Sequence, residues 1–190
     1  DVAVTRRHLR AGITGSDELK LPVLRTQLRF MEAVVAAWVG DFAEADRHHA
    51  IAVHVHEQTE LYEAGSAMLS KSLLVRERGG PVGPEWEAFL DDEVFLGPGA
   101  VSVVGTAVLS LVRGPGARPK AQDMLRRWVE HDELFIWPTL GHRTLLAHLA
   151  ADHRLPEFAE PLLAKLTPFT GQIATLGQVA CAGPVGLATA

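Results

Sequence analysis

Apolar residues along this chain recur at helical spacing, and short breaks carrying glycine, proline or aspartate separate them. The clearest stretch runs from Leu19 to Val39. There Leu24, Leu28, Met31, Val35 and Trp38 follow three- and four-residue steps, which predicts a helix with one buried stripe. The next residues, Gly40 and Asp41, predict a tight turn. Gly40 can take the positive φ that ends a helix, and the Asp41 carboxylate can cap the helix that follows. Phe42 to His56 is that second helix, with Ala45 and Ala52 on one face, where small side chains let two helices approach closely.

The rest of the chain reads the same way. Val2 to Ala11 predicts a helix with an arginine-rich face, closed by Gly12 to Asp17, and Glu57 to Arg78 predicts a further helix. Gly79 to Pro84 breaks the pattern, and Glu85 to Phe95 is a short helix. Val101 to Val112 is β-branched enough to suit a strand, but it takes the first-helix slot of a repeating pair and is assigned as helix. Lys120 to His131, Thr139 to Ala151 and Glu157 to Leu166 follow as helices, and Ile173 to Leu187 begins another. The breaks recur: Gly40, Gly79, Gly116 and His153 stand 39, 37 and 37 residues apart. Ala121 repeats the offset of Ala45, whereas Pro84 and Phe158 occupy it in the other two units. A period of about 37 residues predicts an all-α fold, a right-handed superhelical solenoid of antiparallel helix pairs like the tetratricopeptide repeat. Residues 1–190 then form one repeat domain, read as a piece of a larger multidomain protein.

Composition narrows the role. The hydrophobic fraction of 47% and mean hydropathy of +0.11 suit helices covered on two sides. A net charge of −5 gives no basic footprint for nucleic acid. The single Cys181 excludes an internal disulfide and suits a reducing cytoplasm. The uncharged stretch from Ile173 to Ala190 is broken by Gly177, Gly183, Pro184 and Gly186, so it makes a poor membrane span.

Candidate chemistry is thin. His48, His49, His54 and His56 cluster, with Glu60 four residues on, but no His pair stands at i, i+4 and no His-Glu-x-x-His occurs. A solvated or groove-lining face accounts for them. His142, His148 and Asp152 form a looser group, in which His148 and Asp152 make an i, i+4 pair. Gly114 to Lys120 lacks the spacing and the Ser/Thr of a phosphate loop, and Pro115 and Pro119 remove backbone donors. Cys181 sits in an apolar context with no neighbouring cation, as a buried structural residue would. The acidic run Asp91 to Glu93, near Glu85 and Glu87, reads as a solvated face. Arg6, Arg7, Arg10, Arg126 and Arg127 are too few for a nucleic-acid groove, and Trp38, Trp86, Trp128 and Trp137 read as packing between repeats. No catalytic, cofactor-binding or metal-ligating residue is assigned, and no cofactor is expected.

The Gly40-Asp41-Phe42-x-x-Ala45 turn and Ala52 resemble the tetratricopeptide repeat. Leu162-Leu163, Pro168-Phe169-Thr170-Gly171 and Gly177-Gln178-Val179-Ala180-Cys181-Ala182-Gly183 resemble the helical-repeat region of large bacterial ATP-dependent regulators. These are the MalT-like and LuxR-type transcription factors and the adenylate cyclases linked to an AAA-type ATPase. The resemblance covers Leu21 to the end, with His153, Pro84 and Phe158 departing from its pattern. It implies a cytoplasmic, non-catalytic regulatory arm that contacts a protein partner or other domains of its parent, touches no nucleic acid directly and enters no membrane. The alternative is a sensor that binds a sugar or metabolite inducer on the concave face. Helical phase places Gln27, Phe30, Val34, Tyr62 and His142 on that face.

Overall fold

The computed structural model describes residues 2–59, 65–79, 82–89, 100–114, 116–131 and 139–190, and these are mostly helical. The chain divides into two compact units, Asp1–Gly79 with Gln178–Ala180, and Gly80–Gly177 with Cys181–Ala190.

In the first unit α1 spans Val2–Glu18, α2 Pro22–Trp38, α3 Phe42–Thr59 and α4 Gly65–Arg78. The helix α1 runs through Gly12 and Gly15, where the sequence suggested a break. Gly12 is tolerated because α2 comes close: a Cβ there would lie 3.1 Å from Leu28 Cδ1. The turn between α2 and α3 forms as expected. Gly40 has φ +81°, and the Gly40 and Asp41 amides donate to the Ala37 and Ala36 carbonyls, a Schellman closure. Asp41 Oδ1 then accepts the Glu44 amide at 3.1 Å and caps α3. Ala33, Ala36, Ala37, Ala45 and Leu74 form a close-packed apolar cluster, with Phe42 against it. Ala45 and Ala52 are fully buried, as their spacing predicted.

The buried face of α2 is not the predicted one. Leu24 and Met31 are 43% and 39% exposed, and Leu28 and Trp38 only half-buried. Of that stripe Val35 is buried; the helix otherwise buries Thr26, Arg29, Phe30, Glu32, Ala33, Ala36 and Ala37. Hydropathy misjudges this helix because two of its buried side chains are charged residues with partners on α1.

In the second unit α5 is Pro84–Ala88, α6 Ala100–Leu109, α7 Ala117–His131, α8 Thr139–Asp152 and α9 Ala159–Leu166, entered by a 3-10 turn at Pro156–Phe158. The β-branched segment at 101–112 is helical through Leu109. Val103, Val104, Ala107, Val108 and Leu109 are all buried there, alongside α7 and α8. Tertiary packing outweighs strand propensity in this segment. The turn after α8 is shifted by one residue from its predicted position. Arg154, not His153, takes the positive φ (+55°), while the Arg154 and Leu155 amides close on Ala151 and Ala150.

The C-terminal helix expected from Ile173 to Leu187 is replaced by a two-stranded hairpin, β1 Ile173–Leu176 and β2 Ala180–Pro184, with only α10, Val185–Ala188, helical. Ile173 to Leu176 alternates exposed and buried, the period of a strand. Gly177 (φ +62°) and Gly183 (φ +91°) adopt conformations that break a helix. The hairpin seats on α8 at Gly141, where a Cβ would stand 2.4 Å from the Thr175 carbonyl oxygen. Glu60, Leu61, Tyr62, Asp91 to Glu93, Phe95, Pro115 and Trp137 lie outside the described residues.

Candidate functional site

Among the described residues, the densest buried polar chemistry lies in the first unit, where α1, α2 and α3 meet around Glu32. This glutamate is fully buried, yet it is the only charged residue between Phe30 and Val39. Its Oε1 accepts from Arg6 Nε at 2.9 Å, and Arg10 Nε stands 4.0 Å from the same oxygen. Both arginines belong to α1. One turn toward the N-terminus of α2, Arg29 is itself buried and pairs with Asp17 of α1, and Arg25 Nε donates to Asp17 at 2.8 Å. The opposite wall is α3. His48 and Arg47 lie near enough to feel the charge of Glu32, and Glu44 binds both of them. Arg47 grips Glu44 through two nitrogens, at 2.6 and 2.8 Å.

The electrostatics follow from this geometry. The Arg47 hydrogen bond holds the Glu44 carboxyl well below its ordinary range, at about 2. Burial pushes His48 down, reinforced by Arg47 and opposed by Glu44. His49 is also pushed down by burial, although its Nε2 donates to the Ala67 carbonyl at 3.3 Å; Phe30 packs edge-on against its ring at 5.7 Å.

The charge around Glu32 is incompletely satisfied. Glu32 Oε2, Arg29 Nε and His48 Nδ1 are buried and make no hydrogen bond among the described residues. A buried polar atom left unpaired costs about 1–3 kcal/mol. The only apolar side chains that α1 buries are Leu9 and Ile13, each worth about 1.5–3 kcal/mol when fully covered. The arrangement therefore orients helices through charge and provides a polar, partly unsatisfied seam. It brings together no nucleophile with a base and an orienting group.

The histidine cluster is not the solvated face that the sequence suggested. His48, His49 and His56 are buried and only His54 is exposed, because α2 and α4 both pack on α3. Among the described residues no group of three or more His, Cys, Asp or Glu could hold a metal ion. Of the residues placed on a concave face, Phe30 and His142 are buried, while Gln27 and Val34 are half-buried. His142 lies in the second unit, where its Nε2 shares a hydrogen bond with Thr106 Oγ1 at 3.1 Å; burial pushes its pKa down to about 4. Asp152 accepts from Arg113 at 3.0 Å. The Gly114 to Lys120 segment, which lacks the pattern of a phosphate loop, is helical from Ala117 onward. Cys181 is buried in β2, where its thiol donates to the Ala174 carbonyl and its sulfur accepts the Gly183 amide, a structural role. Trp86 is buried beside Phe89, whereas Trp128 is half-buried. Glu85 and Glu87 are exposed, and Arg126 and Arg127 pair with Asp123.

Sequence reasoning noted Arg6 and Arg10 only as surface charge and passed over Asp17, Arg29 and Glu32. The available signal was the isolated glutamate inside the run from Phe30 to Val39. No helix among the described residues is long and apolar enough to cross a membrane. Comparison of the chain with family models, curated proteins and solved structures gives no match.

Proposed function

We propose that this chain is a non-catalytic, tetratricopeptide-like interaction module of a bacterial signalling or transcriptional regulator, working in the cytoplasm through helix-face contacts with a protein partner or with other domains of its parent. The observation that carries this reading is the α2–α3 hairpin. Its Gly40-Asp41 turn closes and caps the pair, and α4 packs on both helices. A similar neighbour pattern recurs where α6, α7 and α8 each contact the other two. Each helix lying against the next and the next but one is what a stacked array of pairs requires. The exposed apolar side chains Leu24 and Met31 on α2 supply a surface for such contacts.

The test is the open reading frame that encodes the chain, followed by binding between this chain and the neighbouring domains of its product. A P-loop ATPase and a helix-turn-helix or cyclase domain in the same frame, with binding that changes between nucleotide states, supports the regulator. A frame without either overturns it in favour of a free-standing adaptor. Saturable binding of a sugar or metabolite, with no domain contact, would favour the sensor.

A further inference from the structure

We propose that α1 is a releasable strap, held on α2 chiefly by charge, whose undocking bares the buried face of α2 around Glu32. Three observations converge. The 17-residue helix buries only Leu9 and Ile13 as apolar anchors. Ion pairs tie it to α2, Arg6 and Arg10 with Glu32 and Asp17 with Arg25 and Arg29, beside the close approach of Leu28 to Gly12. The face it covers keeps Glu32 Oε2 and Arg29 Nε without a hydrogen bond among the described residues, so docking of α1 leaves polar groups of α2 desolvated and unpaired. The α1–α2 turn closes through its backbone, with Lys20 at φ +52° and the Leu21 amide on the Ser16 carbonyl, as the α2–α3 turn does, but the α2–α3 contact packs on Ala33, Ala36, Ala37 and Ala45 and adds the Asp41 side-chain cap.

Several of the pairs are open to solvent. The side chain of Arg10 is 65% exposed, and Asp17 and Arg25 are about one-third exposed, so dissolved salt reaches them. Glu32, fully buried, is the fixed point that α1 must keep satisfied. On release, α2 presents Leu28 and Glu32 beside the already exposed Leu24 and Met31, an apolar stripe with one acidic anchor. A helix bearing a basic side chain, as α1 bears Arg6, fits that face. The release itself rests on the geometry of the first unit and not on the regulator reading.

The test is hydrogen exchange on the full chain at about 0.05 M and about 1 M NaCl, comparing amides of α1 with those of α2 and α3. The expected result is a rise in exchange of about tenfold across α1 at high salt, with residues 33–37 and 45–55 changing by less than about twofold. Glu32→Gln and Asp17→Asn should release α1 already at low salt. The double variant Arg6→Leu with Glu32→Leu should keep it docked at both, because an apolar pair replaces the charged one without its desolvation cost. If α1 is protected as strongly as α3 at both salt concentrations, or if all helices of the unit lose protection together, the strap is overturned. Should Glu32→Gln fail to fold, the wild-type salt comparison and Asp17→Asn decide the matter alone.

Discussion

The two units bury polar groups in different ways. In the first, a carboxylate, a guanidinium and three imidazoles enter the interior: Glu32, Arg29, His48, His49 and His56. The charged members are paired only in part. In the second, the centre is Leu109, Leu125, Leu145, Leu146 and Leu149, all fully buried. Its buried histidines hydrogen-bond to uncharged groups: His142 meets Thr106, and His153 Nε2 donates to the Leu109 carbonyl at 3.0 Å. A core of branched aliphatics gains stability from packing and responds little to ionic conditions. A core seam of charge contributes less to stability but fixes which helices pair, and it responds to salt and to substitution. The contrast teaches that the part of this chain most able to change state is also the part with the smaller side chains and the more unusual buried groups.

The sharpest way to break that comparison is in the aliphatic core. Leu145→Ala removes a fully buried side chain and should lower the stability of the second unit by about 2–5 kcal/mol, read as a fall in urea midpoint. A loss below about 1 kcal/mol would mean that α8 is not the centre of a tight core. Acid comes next. The folded-state pKa of His142 lies near 4, below its ordinary 6.5, so its contribution is fully present above pH 6.5 and is lost as pH falls toward 4. The total loss should be about 3 kcal/mol, and His142→Gln should flatten this slope of stability against pH. His48 and His49 shift in the same direction and should make the first unit acid-sensitive in the same sense. Glu44 acts lower: its contribution is present above about 4.5 and is lost only as pH falls toward about 2.

Smaller effects sharpen the picture of the charged seam. Glu32→Gln should cost about 2 kcal/mol at low salt and less at high salt, since Arg6 retains some access to water; equal loss at both would indicate a packing effect. Gly40→Ala should cost about 1 kcal/mol, measured by thermal unfolding. Nothing lies within 4 Å of a Cβ at that position, so the cost is that of the left-handed backbone alone.

What was legible in the sequence was local. The Gly40-Asp41 turn, the burial of Ala45 and Ala52, and the glycine end of α4 at Gly79 (φ +67°) follow from residues a few positions apart, whose backbone preferences act without help. The helix at Ala100–Leu109 was recovered only because a repeat demanded it there. What was not legible depends on partners distant in sequence. Glu32 counts as polar until Arg6, 26 residues away, is placed on it. The three buried histidines likewise need α2 and α4 above them. The hairpin was missed for another reason: an uncharged stretch, read as one helix, hid a period-two alternation over Ile173 to Leu176, and the glycines that shape it were read as faults in a helix. The candidate seam was thus visible only as one misplaced charge.

The close seating of the hairpin on Gly141 has a consequence for inheritance. Because the Thr175 carbonyl occupies the space a side chain would need, the codon at 141 and the strand at 173–176 are tied together. In a library of random variants selected for folding, residue 141 should remain glycine while its half-buried neighbour Leu140 drifts. A natural lineage that discarded the hairpin would be released from that constraint, so a bulky residue at 141 would mark, from the gene alone, chains in which the hairpin no longer rests on α8.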